Sequence, residues 1–312
     1  MSSITGVAVP QGKAAERHPA ARARKARNFL PLYLSIAPYY ILFLAFGIGP
    51  VAYSAYLAFQ KWDGIGKMTF VGFGNFAYLF TSRTFGEAIV NTFEIWFMST
   101  IPMLLLALIL AFLINMRRRS KFLFQVCYYL PYVTSIVAIT LIFGSLFSPQ
   151  YGLINDVLTA MHIPTVQWLT EAWPIRWAIA LIVIWRWTGY NSLIYMAGLQ
   201  SIPAEFYEAA RIDGANTWNI FVHVTIPLLR PVILFTVITS TFGGLTLFTE
   251  PQILLGNSGG PGSAGLTMSL YQYAQGFGAD HFGYGAAIGW IIFFITLAFT
   301  IVNWRVVQRG EQ

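Results

Sequence analysis

The 312-residue chain is too apolar for an ordinary water-soluble domain, since 56% of its residues are hydrophobic, only 10% are charged and its mean hydropathy is +0.61. Its formal net charge of +7 is carried by basic residues in a few short segments. We interpret this charge as a topology signal attracted to anionic membrane lipid, and not as a surface that binds nucleic acid.

Two regions follow from the composition along the chain. Residues 1–28 are rich in Ala, Arg and Lys and show no apolar periodicity, which predicts a disordered basic cytoplasmic arm. Residues 29–312 then form one membrane domain.

Long apolar runs predict the helices of that domain. A helix needs about 20 apolar residues to cross a bilayer, and inside lipid its backbone must satisfy its own hydrogen bonds. Five uncharged runs meet or approach this length, and a sixth, 177–199, is interrupted only by Arg186. The five are 32–59, 95–116, 122–147, 231–249 and 282–304. We therefore predict an all-α integral membrane protein with six transmembrane helices, in which the single Cys127 lies buried in the third.

The basic residues orient these helices. The N-terminal arm, the 116–121 link and the C-terminal tail are basic, whereas the loops 148–172 and 256–281 contain no Lys or Arg. The positive-inside rule therefore places both termini and the 200–230 loop in the cytoplasm. The first outer loop departs from the rule, because it carries Lys61, Lys67 and Arg83.

Ionisable residues inside apolar runs are costly and indicate function. We expect Glu94 and Glu250 to lie at the membrane interface, where long side chains reach water. We expect Arg186 to face a cavity or to pair with an acid.

Arg186 belongs to a dense polar and aromatic segment, Trp185-Arg186-Trp187-Thr188-Gly189-Tyr190-Asn191. Aromatic faces together with amide and hydroxyl groups are typical of sugar sites, so this segment is a candidate sugar path. The alternative is an aromatic membrane belt with helix packing. The run 239–246 of the fifth helix, Thr-Ser-Thr-Phe-Gly-Gly-Leu-Thr, favours either close helix packing or an unwound stretch that exposes carbonyls to a substrate.

The motifs of catalytic and metal sites are missing from the sequence. The nearest match to a nucleotide-binding loop, Gly64-Ile65-Gly66-Lys67-Met68, lacks the first Gly and the Ser or Thr after Lys. The four histidines are scattered and do not have metal-ligand spacing. We therefore predict no enzyme activity, no cofactor and no metal site in this chain.

The 200–230 loop has helix start and stop signals of its own. Ser201 and Pro203 fit the start of a helix that runs to about Ile212, and Gly214 fits a turn after it. Asn216 or Thr217 can then cap a second short helix. The loop is either a surface for a partner or an amphipathic elbow with solvated charges.

Its sequence resembles the EAA loop of ABC importer permeases at the full spacing of that motif: Glu208-Ala209-Ala210, Gly214 and Val224-Thr225-Ile226-Pro227. From about residue 30 onward, the chain resembles the carbohydrate-uptake permeases of the maltose, glycerol-phosphate and disaccharide class. The lead-in 197–203 belongs to the same resemblance. The segment Gly259-Gly260-Pro261, followed by Leu270-Tyr271-x-Tyr273, is similar to the larger permease of the maltose system. The extra spans and large outer domain of that subunit are missing here.

The resemblance implies a multi-pass protein of the bacterial or archaeal cell (inner) membrane. It implies a heterodimer with a second related permease, two ATPase subunits on the inner face and an extracytoplasmic sugar-binding protein. ATP and Mg²⁺ would be bound by the ATPase, and its closure would drive alternating access of the translocation path.

The resemblance also implies roles for particular residues. Coupling to the ATPase is assigned to Glu208, Ala209, Ala210, Asp213 and Gly214. The substrate path is assigned to Arg186, Trp187, Tyr190, Asn191, Ser240 and Gly244, because related permeases contact substrate at a Tyr matching Tyr190 and a Ser matching Ser240. Gly244 departs from the amide-bearing residue found there.

Two other functions stay open from the sequence alone. An ion-coupled secondary transporter would need an intramembrane carboxylate path, for which Glu94 and Glu250 are the candidates. A membrane-embedded glycosyltransferase would need a carboxylate set at the membrane surface, such as Glu208 and Asp213.

Overall fold

The computed structural model describes residues 19–116 and 121–308, and in these parts the chain is almost entirely helical. The helices are α1 Pro19–Leu42, α2 Gly49–Ala58, α3 Gly74–Thr81, α4 Arg83–Met116, α5 Lys121–Val133, α6 Ile136–Leu146, α7 Leu153–Ala160, α8 Ala172–Gln200, α9 Ala204–Ile212, α10 Thr217–Ile220, α11 Ile226–Leu245, α12 Thr249–Leu255, α13 Met268–Tyr273 and α14 Phe282–Gln308. One small antiparallel hairpin joins β1 Gln60–Lys61 to β2 Thr69–Phe70.

Four described helical segments are long and apolar enough to cross a membrane, namely Pro31–Ala58, Arg83–Asn115, Thr217–Leu255 and Phe282–Arg305. A fifth span results if α5 and α6 are counted together. Helix α8 is 29 residues long but more polar, and it is not among them. The prediction of an all-α membrane protein is confirmed, whereas the number of spans stays a prediction.

The chain divides into two compact units, which meet between Ser54 and Ala55. In the first unit, residues 19–28 belong to α1, so the second part of the predicted disordered arm is helical in the structure. Ala and Arg are strong helix formers, which explains this difference. Residues 1–18 of the predicted arm lie outside the described residues.

Helices α4 and α8 form the centre of the second unit. One cluster of buried side chains joins α4 and α8 to α11, and another joins α4 to α13 and α14. Gly198 of α8 faces the side chains of Leu229 and Val232, and a Cβ at this position would press against both. The absence of a side chain therefore lets α8 and α11 approach closely.

The predicted third helix is broken rather than continuous. Its two halves, Phe122–Val133 and Ile136–Leu146, meet at an angle of 91°. Pro131 has no N–H to donate in the last turn of α5, and Ser135 has an extended backbone before α6 begins. Cys127 on α5 is exposed, so its predicted burial is wrong.

Candidate functional site

A cavity of about 470 Å³ lies among α4, the α5–α6 break, α8, α11 and α12. It contains five of the six residues predicted for a substrate path, namely Trp187, Tyr190, Asn191, Ser240 and Gly244. Further hydroxyl groups line the cavity at Thr239 and Thr246 of the run 239–246 and, not singled out from the sequence, at Ser99, Thr100 and Thr249. The cavity therefore offers hydroxyl and amide groups within a largely apolar helix bundle.

Three aromatic rings form one corner of this cavity. Tyr132 stacks on Tyr190 with ring centroids 4.5 Å apart and 25° between the ring planes. Trp187 meets Tyr132 edge to face at 5.2 Å. Such contacts fix flat apolar surfaces at defined angles, which suits the C–H face of a cyclic ligand.

Asn191 supplies the cavity with a free hydrogen-bond acceptor. Its side chain is 1% exposed, and its Nδ2 donates to the Trp187 carbonyl oxygen at 3.0 Å. Among the described residues, its Oδ1 has no hydrogen-bond partner. A buried polar atom without a partner costs free energy, which a ligand hydroxyl placed there would recover.

Gly244 is required by the packing of α11 against α4. A side chain at position 244 would overlap the indole ring of Trp96. An amide-bearing side chain, which the family resemblance led us to expect at this position, would not fit beside Trp96.

Arg186 does not line the cavity; it binds the α5–α6 break. Its two terminal nitrogens donate to the carbonyl oxygens of Thr134 and Tyr132 at 3.3 and 3.4 Å. The guanidinium also lies 5.7 Å from the centre of the Tyr132 ring. A broken helix leaves carbonyls unsatisfied, and this arginine supplies donors to two of them. It is not among the residues that line this cavity, and its predicted place on the substrate path stays a prediction.

The 200–230 loop folds as its signals predict, with one change at its start. α9 ends at Ile212, Gly214 has φ +79°, and the Asn216 side chain accepts a hydrogen bond from the Asn219 N–H at 2.8 Å. Ser201 instead ends α8, since its hydroxyl donates to the Gly198 carbonyl. The two residues that begin the predicted helix are thus Pro203 and Ala204.

The residues predicted for coupling lie on the solvent side of this loop. Glu208, Ala209, Asp213 and Gly214 are exposed, and Ala210 is half-buried. None of the residues of α9 is buried by the rest of the chain. The apolar side chains of Phe206 and Ile212 are exposed on the same helix. In the part of the chain that the structure describes, no other element buries a residue of α9.

The family model described as "Binding-protein-dependent transport system inner membrane component" matches residues 71–309. The chain belongs to this family. It is therefore a transport permease and not itself an enzyme, and it is a multi-pass protein of the cell membrane.

Similar proteins agree with this assignment over most of their length. The permease is 39% identical to the lactose transport system permease protein LacF of Rhizobium radiobacter, over 83% of this chain and 88% of that protein. It is 34% identical to the arabinooligosaccharides transport system permease protein AraP of Bacillus subtilis (strain 168), over 87% and 86%. A bacterial ABC transporter involved in the import of the acidic polysaccharide alginate contains a chain of similar structure, with a TM-score of 0.81, 26% identity and coverage of 94% and 100%. A second structure of an alginate transporter, in complex with an alginate-bound periplasmic protein, matches with a TM-score of 0.80.

The two intramembrane carboxylates of the permease differ in their surroundings, and the interfacial position predicted for Glu94 stays a prediction. Glu250 is only 3% exposed and lines the cavity, so it is not at a wet interface. Glu94 is partly buried and lies 2.7 Å from Nη1 of Arg176.

Arg176 is a structural residue that the sequence analysis missed. Besides Glu94, its guanidinium donates to Asn91 Oδ1 at 2.7 Å and to the Ala264 carbonyl at 3.3 Å. Asn91 in turn donates to the carbonyls of Ser263 and Leu266. These bonds hold the glycine-rich loop 256–267 on α4 and α8. The signal that could have indicated this role is a basic residue at the edge of an apolar run, directly after the loop 148–172, which contains no Lys or Arg.

Proposed function

We propose that this permease is one of two related membrane subunits of an ATP-driven, binding-protein-dependent sugar importer. The observation that carries the proposal is the cavity at Tyr190 and Asn191, where stacked rings, an unpartnered amide oxygen and several hydroxyls meet. Sugars present both C–H faces and hydroxyls, so they match this lining. The lactose and arabinooligosaccharide permeases among its relatives support the same substrate class.

In this proposal the chain crosses the membrane six times, with both termini in the cytoplasm. The five apolar spans are joined by α8, whose polar side chains face the cavity and the α5–α6 break rather than lipid. An extracytoplasmic binding protein would deliver the sugar to the outer side, between the two permeases.

The exposed helix α9 is the proposed coupling helix. Glu208 would pair with a basic group of the ATPase, while the small side chains of Ala209 and Ala210 would permit close approach. Two ATPase subunits would bind ATP and Mg²⁺, and their closure would move the paired coupling helices together and switch the cavity between its two openings.

The structure supports this mechanism over the two other functions. A carboxylate path for ions is poorly supported, because Glu94 is paired with Arg176 in a cluster that holds a loop, which leaves Glu250 as a single carboxylate in the lining of the cavity. A glycosyltransferase site is poorly supported as well, because Glu208 and Asp213 are exposed on a loop that has no cavity among those observed.

Reconstitution tests the proposal. The chain, its partner permease and the ATPase are co-purified, placed in proteoliposomes and supplied with a binding protein loaded with lactose or an arabinooligosaccharide. We expect sugar uptake that needs both ATP and the binding protein. Uptake driven by an ion gradient without ATP would contradict the proposal.

Cysteine labelling tests the orientation separately. In a Cys127→Ala background, Asp156→Cys and Asp280→Cys should react with an impermeant reagent from outside, and Ser201→Cys only from inside. All three positions are exposed, so accessibility depends on the side of the membrane. Labelling of position 201 from outside would reverse the orientation.

A further inference from the structure

A second cleft, of about 460 Å³, lies at the other end of the chain's membrane domain from α9 in the proposed orientation. It is formed by the β1–β2 hairpin, α3 and the beginning of α14. Its lining includes Lys61, Trp62, Lys67, Tyr78, His281 and Tyr284. No residue of this cleft belongs to the sugar cavity.

The cleft presents positive charge that the chain does not neutralise. Lys61 and Lys67 are exposed, and neither forms an ion pair with any residue between 19–116 or 121–308. Asp63 also lines the cleft, but its Oδ1 accepts hydrogen bonds from the N–H groups of Ile65 and Gly66 at 3.1 and 2.9 Å. These bonds hold the carboxylate in the turn of the hairpin. The ammonium groups of Lys61 and Lys67 are therefore available to bind an anionic ligand.

The third basic residue of the same outer loop differs from these lysines, because it has an acidic partner. Arg83 is paired with Glu87 at 2.9 Å, one helical turn further along α4. Basic residues in outer loops oppose the topology signal. The pairing of Arg83 reduces this conflict, whereas Lys61 and Lys67 remain unpaired, which indicates a separate use for their charge.

The hairpin is held in place by backbone contacts. The Phe282 N–H donates to the Trp62 carbonyl at 3.1 Å, and the Asn75 amide donates to the carbonyls of Ala58 and Gln60. Gly283 leaves room for the Gln60 carbonyl, which a side chain there would overlap. The lysines are therefore presented by a fixed support, so a ligand need not order the loop.

Exposed apolar side chains border the cleft. Ile65 at the tip of the hairpin is 97% exposed, and Phe70 and Phe73 are 75% and 73% exposed. Lysines beside exposed aromatic and aliphatic residues are typical of the membrane interface, where rings lie among the headgroups and ammonium groups meet phosphates. One membrane span ends at Ala58 and another begins at Phe282, so the cleft lies at headgroup depth.

We propose that this cleft binds the headgroup of an anionic phospholipid in the outer leaflet. Lys61 and Lys67 would bind the phosphate, Trp62 and the two tyrosines would contact the glycerol region, and Ile65 and Phe70 would lie beside the acyl chains. A soluble anion would leave the apolar border uncovered, and an acidic protein surface would not match its depth. The leaflet follows from the proposed orientation, whereas lipid binding itself does not depend on sugar transport.

The test uses the assembled importer and a photoactivatable phosphatidylglycerol, with phosphatidylcholine as the comparison lipid. Crosslinks are mapped by mass spectrometry to residues 59–83, and affinity at this segment is measured by titration. Each lysine near a membrane surface contributes about a fivefold change in affinity, so Lys61→Gln with Lys67→Gln should weaken phosphatidylglycerol binding roughly 25-fold. Arg83→Gln is the matched control and should change it less than about twofold. Replacing both lysines by Arg should restore binding.

Three results would overturn the proposal. Equal crosslinking of the wild-type protein and the double glutamine variant would show that the lysines do not bind lipid. Displacement of the lipid by inorganic phosphate would identify a site for free anions. The third result is a double glutamine variant that crosslinks to phosphatidylglycerol normally but is no longer stimulated by the binding protein in its ATPase activity. This result would identify a protein-docking site.

Discussion

Helices α8 and α9 are separated by only three residues, yet they depend on different surroundings. Nearly half of the residues of α8 are buried by neighbouring helices of the same chain, whereas none of those of α9 is. The roles of α8 side chains can therefore be derived from contacts within this chain. The role of α9 depends on a surface that another subunit must cover. Substitutions in α8 should act through packing and ligand binding, and substitutions in α9 through assembly and coupling.

The largest effect is expected at the end of α9. Gly214 has φ +79°, a conformation that other residues adopt at a cost of about 1 kcal/mol or more. Apart from its immediate neighbours in the chain, no described residue lies within 4 Å of a Cβ placed there. Gly214→Asp should abolish ATP-dependent uptake while the chain still inserts in the membrane. The measurements are uptake in proteoliposomes and co-purification of the ATPase.

Gly72→Asp is the control for backbone strain, because Gly72 also has positive φ but lies in the outer loop. It should retain most of the uptake. Normal uptake by Gly214→Asp would show that α9 does not couple the permease to its ATPase.

Arg186 on α8 should act on stability. Arg186→Met removes both donors from the α5–α6 break, and the hydrogen bonds are long, so we expect a loss of about 1–2 kcal/mol. This corresponds to a decrease in Tm of several degrees for a unit of this size. Arg83→Met removes an exposed arginine and should change the Tm much less. If the two variants have equal Tm values, Arg186 does not hold the break.

Asn191 should act on transport rather than stability. Asn191→Ala removes the unpartnered acceptor from the cavity, and Tyr190→Phe removes a hydroxyl beside it. Each loss of a hydrogen bond to a sugar costs ~1 kcal/mol, or about fivefold in uptake at low sugar concentration. Basal ATPase activity of the assembled complex should not change.

Thr188→Val is the matched control on the same helix, because its hydroxyl donates to the Ile184 carbonyl and does not line the cavity. It should transport sugar at close to the wild-type rate. If Tyr190→Phe and Asn191→Ala do so as well, the aromatic residues form only a packing layer.

The smallest effect concerns the hairpin of the outer loop. Hydrogen bonds from the Gly66 and Ile65 amides lower the pKa of Asp63 below its ordinary value of 3.8. Because the pKa is lowered in the folded turn, the ionised carboxylate of Asp63 stabilises the turn at pH values above the ordinary pKa. This stabilisation is lost as the pH falls through the lowered pKa and the carboxylate takes up a proton. The protection of these two amides against hydrogen exchange, corrected for the intrinsic pH dependence of exchange, should therefore be higher at about pH 5 than in stronger acid. Asp63→Asn keeps an acceptor oxygen without the charge, so its exchange protection should not show this loss.

The sequence predicted what depends on local patterns. The apolar runs located the membrane helices, and Gly214 and Asn216 located the turn and the cap of the 200–230 loop. Trp187, Tyr190 and Asn191 were found because an aromatic and amide cluster is rare in an apolar helix, whereas Ser240 and Gly244 were found through the family resemblance. The coupling and sugar-binding roles of these residues remain predictions.

The errors concern contacts between residues distant in the chain. Arg176 binds Asn91, 85 positions away, and Arg186 binds Thr134, 52 positions away. Neither partner can be identified from spacing along one helix. The α5–α6 break has a local signal in Pro131, but proline also occurs inside continuous membrane helices, as Pro102 does in α4.

The α5–α6 break has a consequence for how the cavity can open. Arg186 joins α8 to the carbonyls of the break, Gly189 lets the backbone of α5 touch α8, and Tyr132 stacks on Tyr190. Three separate attachments make this aromatic wall one rigid body, because none can shift without breaking the others. The opposite wall contains Gly243 and Gly244 of α11, and α11 is joined to α8 away from these glycines, by the hydrogen bond between the Tyr195 and Thr236 hydroxyls. Access to this cavity should therefore change by movement of the Gly243–Gly244 part of α11 past the aromatic wall.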